Sequence, residues 1–175
     1  FCGSGTIPIE AALIAKNRAP GLDRSFAAQK WKNMDSKLWL EAGDEAMDKE
    51  FHGHYDIWGG DIDPAAVDLA RHNAELAGVE DCIRFEVADA GKFHRDSEYG
   101  QLVTNPPYGE RLLEKKEAEE LYRVFGAALR DLPPKWRVLV LSSHTEFERC
   151  FGKQAGKKRK LYNGMIKCDV FMYGK

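Results

Sequence analysis

The chain predicts a doubly wound α/β fold whose sheet is mostly parallel and whose last strand is antiparallel. Three observations carry this. Short strand-like runs alternate with segments of helical apolar spacing, the pattern of strand–helix–strand units around a parallel sheet. Val138-Leu139-Val140-Leu141 is a continuous apolar run, as in a strand buried on both faces. Near the end, Asn163-Gly164 separates two strand-like runs, a pair that favours a type I′ hairpin.

The elements follow in order. After Cys2-Gly3-Ser4-Gly5-Thr6, Pro8 occupies a first helical turn that has no donor to lose, and Ile9, Ala12, Leu13 and Lys16 recur at helical spacing. Ala19-Pro20-Gly21 breaks this helix. Residues 17–54 are of mixed character and read as an insertion within one domain, 1–175, with a second helix from about Ser36 past Met47. Residues 55–59 read as a strand. Asp63-Pro64 is an N-cap followed by proline at the first helical position; Val67, Ala70, Ala74 and Ala77 form one stripe, and Gly78 ends the helix. Ile83, Phe85 and Val87 alternate in the next strand. A short strand over residues 101–104 runs into Asn105-Pro106-Pro107-Tyr108. The helix that follows keeps Leu121, Val124, Phe125, Ala128 and Leu132 on one face and is stopped by Pro133-Pro134. Residues 165–173 are expected to lie antiparallel beside the strand at 138–141.

Composition narrows the function classes. The 175 residues, 43% hydrophobic and 31% charged, suit one domain with a real core. No stretch approaches the apolar length of a membrane helix, and the first residues do not resemble a signal peptide. Cys2, Cys82, Cys150 and Cys168 show no CxxC spacing, so neither a metal site nor a disulfide framework is expected and a reducing cytoplasmic setting is the default. His52, His54, His72, His94 and His144 show no ligand spacing and read as surface or cap residues. The net charge of −2 is a poor footprint for a stand-alone nucleic-acid binder. Lys153, Lys157, Lys158, Arg159 and Lys160 form the one basic cluster, which serves either RNA phosphates or simply a solvated face.

Four segments carry chemistry. The loop Cys2-Gly3-Ser4-Gly5-Thr6 opens directly into a helix, where glycines permit close backbone approach to a ligand and the helix start offers free N–H donors; it also serves as a plain helix-entry turn. It lacks the GK[ST] ending of a phosphate loop, and Asp61 lies far beyond the roughly 20-residue separation of a dinucleotide fingerprint. Asp61, followed by Ile62, ends a strand, where a carboxylate can accept from both ribose hydroxyls of a nucleoside. Asp89, followed by Ala90, ends the next strand, where an acid can accept from an adenine amino group. A glycine loop and two acids at successive strand ends line the sheet edge at which open α/β sheets bind ligands.

Asn105-Pro106-Pro107-Tyr108 is the most specific signal. Adjacent prolines fix the chain and remove two donors, leaving a rigid pair of acceptors, the Asn105 side-chain oxygen and the Pro106 carbonyl. An exocyclic base amine is a poor nucleophile because its lone pair is delocalised into the ring. Two acceptors on its hydrogens would turn that lone pair toward an electrophile, and Tyr108 would stack on a base taken out of its helix.

Together these residues resemble the class I S-adenosylmethionine-dependent methyltransferases, in the amino-methylating branch with an N/D-P-P-Y/F motif. Phe1-Cys2-Gly3-Ser4-Gly5-Thr6 is similar to the cofactor loop, Asp61 to the ribose acid, Asp89 to the adenine acid, and Asn105-Pro106-Pro107-Tyr108 to the catalytic segment. Arg18-Ala19-Pro20-Gly21-Leu22-Asp23-Arg24-Ser25-Phe26 with Trp31, and Asn105-Pro106-Pro107-Tyr108-Gly109-Glu110-Arg111-Leu112, resemble the THUMP-containing methyltransferases that modify guanine N2 in large-subunit ribosomal RNA.

The resemblance implies a Rossmann-like class I methyltransferase fold and S-adenosyl-L-methionine as cofactor. Cys2, Gly3, Ser4, Gly5, Thr6, Asp61, Ile62, Asp89, Ala90 and Asn105 would contact that cofactor, and Asn105, Pro106, Pro107 and Tyr108 would carry catalysis. RNA would be the partner, with no membrane and no metal. Adenine-N6 methylation of DNA, served by the same four-residue motif, and cofactor or RNA binding without chemistry stay open beside it. In the family a strand directly precedes the cofactor loop, and an N-terminal THUMP region binds RNA. Both are expected upstream of Phe1, so that the first strand of the sheet is missing from these residues.

Overall fold

The structure, a computed structural model, describes residues 1–22, 24–109 and 112–174. Asp23, Glu110 and Arg111, which belong to the two longer resemblance strings, lie outside the described residues.

Helix α1 (Thr6–Ala15) starts at Gly5, whose φ of 82° is left-handed. Glycine is needed there twice over, because a Cβ at Gly5 would also lie 2.9 Å from the Ala70 Cβ. The missing side chain lets α1 press on helix α3 (Pro64–Leu76). α1 buries Pro8, Ile9 and Ala12, and α3 buries Val67, Ala70 and Ala74. The Asp63 side chain accepts from the Ala65 N–H and Pro64 sits in the first turn, as the sequence predicts. Between them, helix α2 (Ser36–Asp48) is capped by Asp35, buries no residue, and leaves Leu38, Leu40 and Met47 exposed.

Strand β1 (Ile57–Asp61) pairs parallel with β2 (Ile83–Val87). Strand β3 (Tyr99–Thr104) pairs parallel with β4 (Lys135–Ser142). Strand β6 (Ile166–Tyr173) runs antiparallel to β4 and to β5 (Lys157–Asn163). The expected antiparallel strand therefore lies where it was placed, in an α/β fold whose strands run mostly parallel. Among the described residues the strands form two sheets, ordered β1-β2 and β3-β4-β6-β5.

Four local expectations need correction. β1 lies two residues later than 55–59 and takes in Gly59 and Gly60. These glycines stay in the strand because aromatic rings lie over them. Phe85 comes within 2.7 Å of where a Gly59 Cβ would stand, and Trp58 covers the same position at Gly60. The hairpin turn is Gly164-Met165 rather than Asn163-Gly164, since Asn163 pairs with Ile166. Only Gly164 has positive φ, at 60°, which is the II′ pattern with glycine first rather than I′. The buried face of helix α4 (Leu112–Ala128) carries Ala118, Tyr122 and Phe125, whereas Val124 is 43% exposed. That helix also ends at Ala128, short of Pro133-Pro134. Its face turns this way because Gly126 meets a short helix the sequence did not announce, α5 (Phe147–Phe151): a Cβ on Gly126 would collide with the Phe151 carbonyl oxygen.

Two apolar cores result. One joins α1, α3 and β2 through Ile9, Val67, Ala70, Ile83 and Phe85, with Ile57 of β1 packed against it. The other joins α4, α5, β4 and β6 through Tyr122, Phe125, Val140, Phe147 and Phe171. The chain's first two residues stand between them, with Phe1 packed on the second core and Cys2 on the first. The backbone nitrogens of Phe1 and Cys2 both donate to the Gly60 carbonyl, at 2.7 and 2.9 Å.

Candidate functional site

The glycine loop and the first acid are bonded to each other. The Gly3 N–H donates to Asp61 Oδ2 at 2.9 Å, and the Asp63 N–H donates to Asp61 Oδ1 at 3.1 Å. Burial pushes the Asp61 carboxyl upward, but the backbone donors of Gly3, Asp63 and Ile62 hold it below the usual aspartate value. A carboxylate has about four lone-pair sites, so acceptor capacity remains for a further donor. Gly3 has a φ of 53° and nothing within 4 Å of where its side chain would begin, so its backbone faces open space. The two loop glycines thus differ, Gly5 serving packing and Gly3 leaving room. Ser4 is held from behind, its carbonyl accepting from Asn73 Nδ2 at 2.9 Å, while its hydroxyl meets that of Thr6 at 3.2 Å. Cys2 is half-buried, and burial raises its thiol pKa.

The parallel register sets Asp61 opposite Val87, and the Ala88 N–H donates to the Asp61 carbonyl at 2.8 Å. Asp89 therefore lies one residue beyond a direct contact with Asp61. It is exposed, and one of its oxygens caps a short turn by accepting from Gly91 at 2.8 Å. Ile62 is 67% exposed at the same strand end, an apolar surface on which a flat ring could rest.

Asn105-Pro106-Pro107-Tyr108 leaves the end of β3. Pro106 is fully buried. The Asn105 Oδ1 is buried and has no hydrogen-bond partner. A buried acceptor left unpaired costs about 1–3 kcal/mol, which a donor arriving from outside would recover. Burial raises the Tyr108 phenol pKa, with Cys168 adding to this and the Asn163 amide opposing it. Asn163 Nδ2 donates to that hydroxyl at 3.2 Å. Among the described residues, no direct hydrogen bond joins this segment to Gly3, Asp61 or Asp89. The structure brings the loop and both acids together and places the Asn105–Tyr108 segment on the neighbouring sheet.

Behind the prolines lies a network that sequence reading missed. The fully buried Tyr122 donates from its hydroxyl to the Pro107 carbonyl at 2.5 Å, and Ser142 Oγ lies 3.4 Å from the same hydroxyl. Ser142 Oγ in turn accepts from the His144 N–H at 3.1 Å. The spacing Ala118–Tyr122–Phe125 held the signal for Tyr122. Tyr122→Phe is expected to strand the Pro107 carbonyl, costing about 1–3 kcal/mol. Denaturant unfolding would measure that loss, and turnover should fall while cofactor affinity holds. An equal loss of both would show that Tyr122 supports only the fold.

His144 is buried rather than on the surface, and its Nδ1 accepts from the N–H of Glu146, the residue at the α5 N-cap, at 3.1 Å. Its Nε2 is 3.3 Å from Glu119 Oε1 but not aligned for a hydrogen bond. Burial lowers its pKa, outweighing the opposing pull of Glu119. A base with a depressed folded pKa binds its proton more readily when unfolded. Its contribution is therefore present above the ordinary histidine value of about 6.5 and is lost as pH falls below it. Unfolding measured from pH 7 downward should show this loss, and His144→Gln should flatten it. An unchanged slope in that variant would refute the assignment.

All four cysteines are free, and among the described residues there is no group of metal-binding side chains and no helix long and apolar enough to cross a membrane.

Comparison with known proteins agrees with this geometry. The family described as UPF0020, RMKL-like, methyltransferase domain, matches residues 1–171. The chain is 45% identical over 177 residues to YpsC of Bacillus subtilis (strain 168), provisionally named an RNA methyltransferase, covering 99% of this chain and 45% of that protein. It is 41% identical over 178 residues to the ribosomal RNA large subunit methyltransferase K/L of Shewanella baltica (strain OS185), covering 99% of this chain and 25% of that one. Among solved structures, SMU.472, provisionally named a methyltransferase and crystallised with SAH, superposes with a TM-score of 0.94 at 41% identity, covering 99% of this chain and 46% of that one. The chain thus spans less than half the length of these relatives.

Proposed function

This chain belongs to the RMKL-like methyltransferase domain family, and we propose that it transfers a methyl group from S-adenosylmethionine to an exocyclic amino group of a nucleic-acid base, guanine N2 in large-subunit ribosomal RNA. The observation that carries this is the Asn105 Oδ1, a buried acceptor without a partner on a segment stiffened by two prolines.

The cofactor's chemistry fits the residues present. Gly3 offers open space beside its backbone, Asp61 keeps acceptor capacity for ribose hydroxyls, Ile62 offers exposed apolar surface at the same strand end, and Asp89, followed by the half-buried Ala90, keeps an oxygen that suits an adenine amine. Cys2, Ser4, Gly5 and Thr6 shape the loop. When bound, S-adenosylmethionine supplies an electrophilic methyl group. Asn105 Oδ1 and the Pro106 carbonyl accept the two hydrogens of the target amine and aim its lone pair, and the same acceptors stabilise the positive charge that grows on nitrogen. Tyr108 stacks on the extruded base, and Tyr122 keeps the Pro107 carbonyl in place.

Transfer of a labelled methyl group from the cofactor to ribosomal RNA, DNA and protein, followed by nucleoside analysis, tests this. Label in N2-methylguanosine of large-subunit RNA is expected. Label in N6-methyladenine of DNA, or none at all, would overturn the reading.

RNA binding draws on further chain outside these residues. The net charge of −2 and the greater length of the relatives support this. The strand that completes the sheet comes from there too, a reading supported by the separation of β1 from β3 and by the bonds from Phe1 and Cys2 to Gly60. Cooperative unfolding with cofactor binding by residues 1–175 alone would contradict it. Four free cysteines fit action in the cytoplasm.

A further inference from the structure

The β5–β6 hairpin carries the chain's basic run, Lys157-Lys158-Arg159-Lys160, on an edge strand whose seven residues are all exposed. Pairing runs one to one from Lys157↔Met172 to Asn163↔Ile166, so no bulge disturbs the alternation of faces. Lys157, Arg159, Leu161 and Asn163 therefore share one face, and Lys158, Lys160 and Tyr162 the other.

The two faces are used differently. On the second, Lys158 reaches Glu148 at 2.7 Å and lies over the Phe171 ring. On the first, Asn163 holds the Tyr108 hydroxyl, and Cys168, paired across from Leu161, lies beside the same phenol. This face thus leads from Tyr108 past the exposed Leu161 to Arg159 and Lys157. At about 3.3–3.4 Å per residue, Arg159 stands roughly 13 Å and Lys157 roughly 20 Å along the strand from Asn163.

Lysines on an edge strand also deter pairing with other chains. That role needs charge on the edge but does not distinguish one face from the other. A strand face that leads from the tyrosine of the proposed base pocket to two cations, in a domain of net negative charge, points to a polyanion bound along it.

Resting on the reading of the site as an RNA methyltransferase, we infer that the Lys157–Arg159–Leu161–Asn163 face is the track for the RNA strand flanking the target nucleotide. Arg159 and Lys157 contact its phosphates. Such contacts carry no sequence information but fix register, and the Asn163–Tyr108 bond ties that register to the base pocket.

The test compares Lys157→Gln/Arg159→Gln with Lys160→Gln, which sits on the opposite face of the same strand, in the full-length protein acting on a large-subunit ribosomal RNA transcript. The double variant should raise the KM for RNA on the order of tenfold and make its salt dependence shallower by about 0.7 for each phosphate no longer neutralised. Its kcat at saturating RNA and its cofactor affinity should hold, and Lys160→Gln should leave all four quantities near their starting values. Arg159→Lys, which keeps the charge, should restore most of the affinity in the presence of Lys157. An unchanged KM and salt slope in the double variant, or an equal effect of Lys160→Gln, would overturn the track. An unaltered protein that methylates no RNA would overturn the proposed function and the track with it.

Discussion

Asn105→Ala is expected to lower kcat by about 10²–10³-fold, the scale for removing one preorganised polar group that acts in the transition state, while affinity for S-adenosylmethionine stays nearly unchanged. The Oδ1 is buried without a partner and is held on a backbone that cannot adjust, since Pro106 is buried and Pro107 is fastened by Tyr122. Its hydrogen bond to the target amine strengthens as positive charge builds on nitrogen, so the loss falls on the reaction rather than on binding. Single-turnover methyl transfer beside calorimetric cofactor binding separates the two. A variant that loses cofactor affinity as steeply as turnover would show that Asn105 serves the cofactor instead.

Asp61→Ala should weaken cofactor binding by about 10²-fold or more, because two charge-assisted hydrogen bonds to a ribose are each worth about 1.5–3 kcal/mol. The structure adds a second loss, since the carboxylate also holds the Gly3 N–H. Its pKa lies below the ordinary aspartate value, so the group stays charged throughout the neutral range. Affinity should therefore be flat with pH until well into acid, falling as the carboxyl protonates. Calorimetry on the full-length protein giving unaltered affinity for Asp61→Ala would eliminate the ribose role.

Order along the chain made the site legible. The loop precedes and Asp61, Asp89 and Asn105–Tyr108 follow or end elements whose periodicity could be read; the loop and the two acids come together beside β1 and β2, while Asn105–Tyr108 leaves a strand of the other sheet, a separation that order along the chain does not reveal. Contacts between distant segments left no such trace. Tyr122 reads as one more apolar residue on α4 until Pro107 is placed above its hydroxyl. Asn163 reads as a turn former, and its bond to Tyr108 spans 55 residues. His144 looked like a surface residue because a lone histidine carries no local sign of burial. The face of α4 and the bounds of β1 were misread for a related reason: glycines at 59, 60 and 126 accommodate Phe85, Trp58 and Phe151, partners that periodicity does not reveal.

The bond from Gly3 to Asp61 has a consequence for redesign. One carboxylate both shapes the loop and, in the proposed function, selects the sugar. A domain re-engineered to accept a cofactor analogue altered at the ribose could not simply exchange Asp61 for a larger or neutral residue, because the loop would lose its anchor together with its old specificity. A replacement acceptor for the Gly3 N–H would have to be installed first, and only then could the sugar pocket be varied independently.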